Sequence, residues 1–79
     1  MNNYVLGYLI RWYVTTHRKY LLPEAELWEY LEGVAPQATC LDMIAALQEL
    51  EKEGYISRFV IDPERAVLFI EVNRENIAA

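Results

Sequence analysis

From Asn3 to Thr16 apolar positions so outnumber polar ones that a helix there is greasy over most of its circumference. On a helical wheel Val5, Leu6, Leu9, Trp12 and Tyr13 share one face, and Asn3, Gly7, Arg11 and Arg18 mark a narrow polar stripe opposite. Tyr4 and Tyr8 flank that stripe on one side and Ile10 on the other. The pattern predicts a first helix at about 3–16, with a core face and a second face (Tyr4, Tyr8, Ile10) for self-association. A second helix, at about 23–32, opens with Pro23 at its first position, where the missing N–H is not needed. Glu24 and Glu26 follow at the positive end of its dipole. Leu27, Trp28 and Leu31 form its buried face, and Gly33 is its stop. A third helix, at about 39–53, opens at Thr39, whose spacing to Asp42 resembles a capping box. Its inner face is Met43, Ala46, Leu47 and Leu50, and Gly54 ends it.

Beyond Gly54 the period changes. Residues 56–61 and 66–72 are rich in β-branched and aromatic side chains and predict two strands. Between them Asp62-Pro63-Glu64-Arg65 has Asp first and Pro second, as a tight turn requires. Opposing Ile61 to Ala66 sets Phe59 against Leu68 and Val60 against Val67. Both faces of the hairpin then hold apolar pairs, so the second face calls for a cover. The expected architecture is α+β, one domain over residues 1–79.

Composition sharpens this picture. The chain has 79 residues, 54% of them hydrophobic and 13% aromatic, which excludes a disordered segment. So small a chain buries only roughly 60% of its unfolded surface. Two Trp, six Tyr and two Phe exceed what one small core hides, which predicts a covering second chain. The net charge is -5, unevenly spread: +3 over residues 1–23, -7 over 24–53 and -1 over 54–79. The longest uncharged run, Met1 to Ile10, is too short to span a bilayer and lacks the flanks of a secretory signal. The single cysteine, Cys40, excludes an internal disulfide and a cysteine zinc cage, and a cytoplasmic protein is expected.

One stretch carries a resemblance. Ala46-Leu47-Gln48-Glu49-Leu50-Glu51-Lys52-Glu53-Gly54-Tyr55-Ile56 resembles the end of a recognition helix leading into the wing of the winged helix-turn-helix superfamily. Asp62-Pro63-Glu64-Arg65-Ala66-Val67-Leu68 resembles the wing tip of MarR-like regulators. The similarity covers about residues 38–72. It implies a three-helix winged-helix domain with a C-terminal two-stranded β-hairpin. The long flanking helices with which MarR regulators dimerise are not matched, so their ligand pocket is not carried over.

Such domains lay the third helix in the major groove and the wing beside the backbone. With Met43, Leu47 and Leu50 inward, Leu41, Ala45, Gln48 and Lys52 point outward, Asp42 and Glu49 lie alongside and Ile44 sits at the margin. Gln48 reads base edges well and Lys52 pairs with phosphate. Thr39, Gln48, Lys52, Arg58 and Arg65 make up the DNA-facing set of a dimeric transcription regulator, with Arg18 and Lys19 nearby. Asp42 and Glu49, however, repel a polyanion, and phosphate contacts from Lys and Arg supply nearly all nonspecific affinity. The favoured expectation is therefore a small regulatory or inhibitory binding module. It would contact a protein partner and a second copy of itself through Tyr4, Tyr8, Ile10, Leu41, Ile44 and Ala45.

Catalysis is the weaker expectation. His17 and Cys40 are the only candidates for a thiol dyad, and no orienting group or oxyanion pattern accompanies them. His17 reads as a solvated loop residue, Cys40 as a small buried thiol on the inner face of the third helix, and Trp12 and Trp28 as core anchors. Glu24, Glu26, Glu29 and Glu32 read as a solvated acidic face. No phosphate loop or histidine pair is present, and no catalytic residue, metal or cofactor is expected.

Overall fold

The structure, a computed structural model, describes residues 2–65 and 67–76. Its first helix, α1 (Asn3–His17), starts at Asn2, whose side-chain oxygen accepts the Tyr4 N–H at 2.7 Å. It ends at Arg18, a non-glycine residue in the left-handed region (φ 52°), beyond which the Lys19 N–H returns to the Val14 carbonyl at 3.2 Å. Leu6, Gly7, Ile10 and Val14 face the core. The buried side of α1 thus differs from the expected one. Ile10, read as an association residue, is 1% exposed, whereas Val5 and Trp12 stand 45% and 49% exposed. α3 seats against this side of the helix, with Leu50 Cδ2 3.8 Å from where a Cβ on Gly7 would stand, an ordinary packing distance.

A short strand that the sequence pattern missed follows: β1 (Leu21–Pro23), with Leu22 fully buried. Pro23 is the cap of α2 (Glu24–Val34) and not its first helical residue, and Gly33 lies inside that helix. The chain leaves α2 at Ala35, whose N–H donates to Leu31 at 2.7 Å. Leu27 and Leu31 form the buried face. α3 (Cys40–Lys52) carries the expected capping box: Asp42 N–H donates to Thr39 Oγ1 (3.1 Å) and Thr39 N–H to Asp42 Oδ2 (2.9 Å). Its buried residues are Met43, Ala46, Leu47 and Leu50, as expected. Gly54 (φ 84°) closes it, with Tyr55 N–H on the Leu50 carbonyl and Gly54 N–H on that of Glu51, the paired bonds of a Schellman motif. Cys40 is exposed at the helix start, contrary to the buried thiol expected. Trp28 is half-buried and packs against the core.

β2 (Ile56–Asp62) and β3 (Val67–Val72) are antiparallel, and β1 pairs with the far edge of β3. The fold is α+β, with three helices and a three-stranded antiparallel sheet of order β1-β3-β2, in place of the two-stranded sheet expected. The register also differs: Phe59 opposes Ile70, Val60 opposes Phe69 and Ile61 opposes Leu68. That is a slip of two residues from the expected pairing, which leaves every side chain on the same face. The cause lies at the turn. Asp62 Oδ1 accepts the N–H groups of Glu64 (3.0 Å) and Arg65 (3.3 Å), and Asp62 pairs with Val67, so the loop opens one residue later. Ala66, the expected first residue of the second strand, lies outside the described residues. A bulge at Ser57 shifts the ladder between Ile56↔Val72 and Arg58↔Glu71.

The core gathers Leu6, Ile10, Val14, Leu22, Leu27, Leu31, Met43, Leu50, Ile56, Ile70 and Val72 from every helix and strand. Ile10→Ala is expected to cost about 2–5 kcal/mol and Thr39→Ala about 1 kcal/mol. Tyr4→Ala, at an 87% exposed site, should stay within about 0.5 kcal/mol. Denaturant midpoints at constant m-value measure all three, and a Tyr4 cost equal to that of Ile10 would reverse the faces of α1.

Candidate interaction surface

The capping box and the Leu50–Gly54 stop fix α3 rotationally, so its outer face follows from its inner one. Leu41 is 76% and Ile44 45% exposed, Gln48 and Lys52 are exposed, and Ala45 is half-buried. Beside Ile44 a groove of about 360 Å³ runs between α3 and the strands. Met43, Ile44, Leu47 and Gln48 line it from α3, Phe59 and Leu68 from the sheet, and Glu24 from α2. Strand alternation sets Ile61, 69% exposed, on the Phe59 face, where it extends the apolar wall. A second groove, of about 670 Å³, separates α1 from α3. Its buried floor is Gly7, Ala46 and Leu50, and its walls are Tyr4 and Tyr8 against Glu49 and Glu53.

The expected association residues therefore part company. Tyr4, Tyr8, Leu41 and Ile44 are on the surface, Ala45 partly so, and Ile10 is core. Val5 and Trp12 join Tyr4 and Tyr8 on the outer side of α1. The i, i+4, i+8 spacing of Tyr4, Tyr8 and Trp12 was the available signal for that stripe.

Of the set expected to face DNA, the two hairpin arginines are engaged in ion pairs. Arg58 Nε binds Glu71 Oε2 at 3.1 Å across the strands, and Arg65 Nε binds Asp62 Oδ2 at 2.9 Å within the turn. The Thr39 hydroxyl caps α3. Elsewhere Arg11 pairs with Glu53, Lys19 Nζ lies 2.7 Å from the Glu26 carboxylate, and Arg74 stacks 4.3 Å over Tyr20. Among the described residues only Arg18 and Lys52, of the lysines and arginines, have neither an ion pair nor a ring contact. Glu24, Glu29, Glu32, Glu49 and Glu51 form no ion pair among those residues. The free charge on α2 and α3 is overwhelmingly negative.

A polar cluster holds α1 to α2 and keeps the outer stripe outward. Tyr13 OH donates to Glu26 Oε2 at 2.6 Å, and the Lys19 ammonium binds the same carboxylate. His17, at the end of α1 and not in a loop, stacks on Tyr13 (4.2 Å), and its Nδ1 lies 3.0 Å from the Tyr13 carbonyl oxygen. Tyr13 in turn meets Tyr30 (4.5 Å), whose hydroxyl donates to the Leu9 carbonyl and whose ring stacks beside Trp12 at 6.2 Å. The Lys19 and Tyr13 hydrogen bonds hold the Glu26 carboxyl below its ordinary range. The bond to Glu26, with burial and the neighbouring negative charge, pushes Tyr13 up to about 12. Burial raises Tyr30 as well. Asp62 is held low by the Arg65 guanidinium and Asp42 by the Thr39 N–H.

No contact joins His17 to Cys40 among the described residues, and no group of three or more His, Cys, Asp or Glu there is arranged to hold a metal. No helix among them is long and apolar enough to cross a membrane. No protein family, curated protein or solved structure matches the chain.

The Tyr13–Glu26–Lys19 cluster gives stability a defined pH dependence. Glu26 is lowered on folding, so its contribution is present above its ordinary value near 4.5 and is lost as pH falls through the folded value. Tyr13 is raised, so its contribution is full below pH 10 and is lost as pH climbs towards 12. Thermal unfolding along both limbs should show Glu26→Gln flattening the acid decline and Tyr13→Phe the alkaline one. Profiles unchanged from the parent chain would disprove the coupling.

Proposed function

We propose that this chain is a non-enzymatic binding module that acts through protein contacts, in the manner of a small regulatory or inhibitory protein. The observation that carries this reading is the state of the α3–hairpin surface. The two hairpin arginines are neutralised in place by Glu71 and Asp62, while Ile44 stands exposed on the wall of an apolar groove, Ile61 on the same sheet face as its Phe59 and Leu68, and Leu41 on the outer side of α3. The element order α1-β1-α2-α3-β2-β3, with a three-stranded antiparallel sheet, supports a winged-helix reading of the fold. On that scaffold the face that winged-helix domains commonly turn to nucleic acid here carries apolar side chains and unpaired carboxylates. A protein segment with an apolar anchor fits that chemistry, and a phosphate backbone does not. The mechanism is occlusion or tethering of the partner.

A dimeric DNA-binding regulator is the second reading, favoured by Gln48 and Lys52, both exposed on the outer face of α3. Salt dependence separates the two. With about two free cations per chain, hence about four per dimer, log K for duplex DNA should change with log salt by a slope no steeper than about -4. A tighter complex with a steeper slope would give the DNA reading. Under the protein reading, a partner co-purified from the native host is retained by the parent chain and lost from Ile44→Glu, with duplex DNA absent from the complex.

A further inference from the structure

The outer side of α1 bears no charge. Tyr4, Val5, Tyr8 and Trp12 fall opposite Leu6, Ile10 and Val14 on the helix and are 87%, 45%, 65% and 49% exposed. A solvent-facing helix side is ordinarily polar. Of these four, only Trp12 has a ring contact among the described residues, to Tyr30. We infer that this stripe is the surface through which two copies of the chain associate.

Charge selects the occupant. Each chain carries a net -5, so two copies repel wherever the acidic α2 and α3 faces approach. Residues 2–23 contain no Asp or Glu, and Arg11 at the margin of the stripe is already paired with Glu53. α1 is thus where like chains meet with least repulsion, and it offers a cationic partner no carboxylate on the stripe itself. Area agrees. The exposed parts of the three aromatics equal about two whole side chains, roughly 300–500 Å² per copy. With Val5 added, two copies reach the order of 1,000 Å² that a specific interface needs.

A two-fold pair is the usual closed form, and Tyr8 lies midway between Tyr4 and Trp12. Tyr8 therefore opposes its own counterpart whether the helices run parallel or antiparallel. The stripe shares no residue with the α3–hairpin groove, so this inference and the protein-partner reading fail separately.

Sedimentation equilibrium of the full chain tests it. A monomer–dimer equilibrium with Kd of about 1–100 µM is expected, holding or tightening as salt is raised because net repulsion is screened. Tyr8→Glu and Tyr8→Lys should each weaken it by about 100-fold, with circular dichroism unchanged. An equimolar mixture of the two should restore a mixed dimer. Tyr4→Glu, at the most exposed position of the stripe, repeats the test should Tyr8 variants unfold. Leu41→Glu on α3 should leave the dimer intact. The inference is overturned by a parent chain monomeric to about 1 mM, by a dimer indifferent to Tyr8→Glu and Tyr4→Glu, or by one that Leu41→Glu dissociates.

Discussion

Leu50 of α3 packs against Gly7 of α1, 3.8 Å from where a Cβ would stand and so at ordinary van der Waals distance, and this is the side that α1 presents to the core. The rest of the arrangement depends on that contact. It draws Leu6, Ile10 and Val14 inward and turns Tyr4, Tyr8 and Trp12 to solvent. The hydrogen bonds from Tyr13 and Lys19 to Glu26 then clamp the far end of α1 on α2, so the helix is fixed at both ends. A helix seated in this way has no freedom to roll its aromatic stripe under cover.

Local ion pairing decides the electrostatic character just as firmly. Arg58 sits opposite Glu71 only because the bulge at Ser57 resets the ladder, and Arg65 reaches Asp62 only because the turn folds on that carboxylate. Exposed pairs of this kind contribute little to stability. Their larger effect is to remove positive potential from the hairpin, while the α2 and α3 carboxylates remain unneutralised. The same residue types, unpaired, would have made the hairpin mildly basic.

How much could be read in advance varied with how local the determinant was. α3 was legible in its caps and its buried face, though not in the exposure of Cys40, since Thr39, Asp42, Gly54 and the spacing of Met43, Ala46, Leu47 and Leu50 act within a few residues of one another. Leu41 and Ile44 followed as its outer positions. α1 was not, because a helix apolar nearly all round leaves its core side to the neighbour it meets. Ile10, expected on the association face, is therefore core, and Val5 and Trp12, expected on the core face, stand at the surface. β1 escaped notice because three residues ending in proline look like a loop until β3 is beside them. The ion pairs of Arg58 and Arg65 depended on a register that the turn sets, so the electrostatics of the candidate surface were visible only once the strands were aligned.

The bulge at Ser57 has a further consequence. β2 is an edge strand, and a long regular edge invites another chain to add on, one after the next. Here the ladder is interrupted, the Ser57 hydroxyl folds back to the Glu71 carbonyl at 3.1 Å, and Pro63 follows the strand end. A molecule with one sticky helix and one open rim would have two ways to grow, the recipe for a filament. Spoiling the rim limits growth in that second direction.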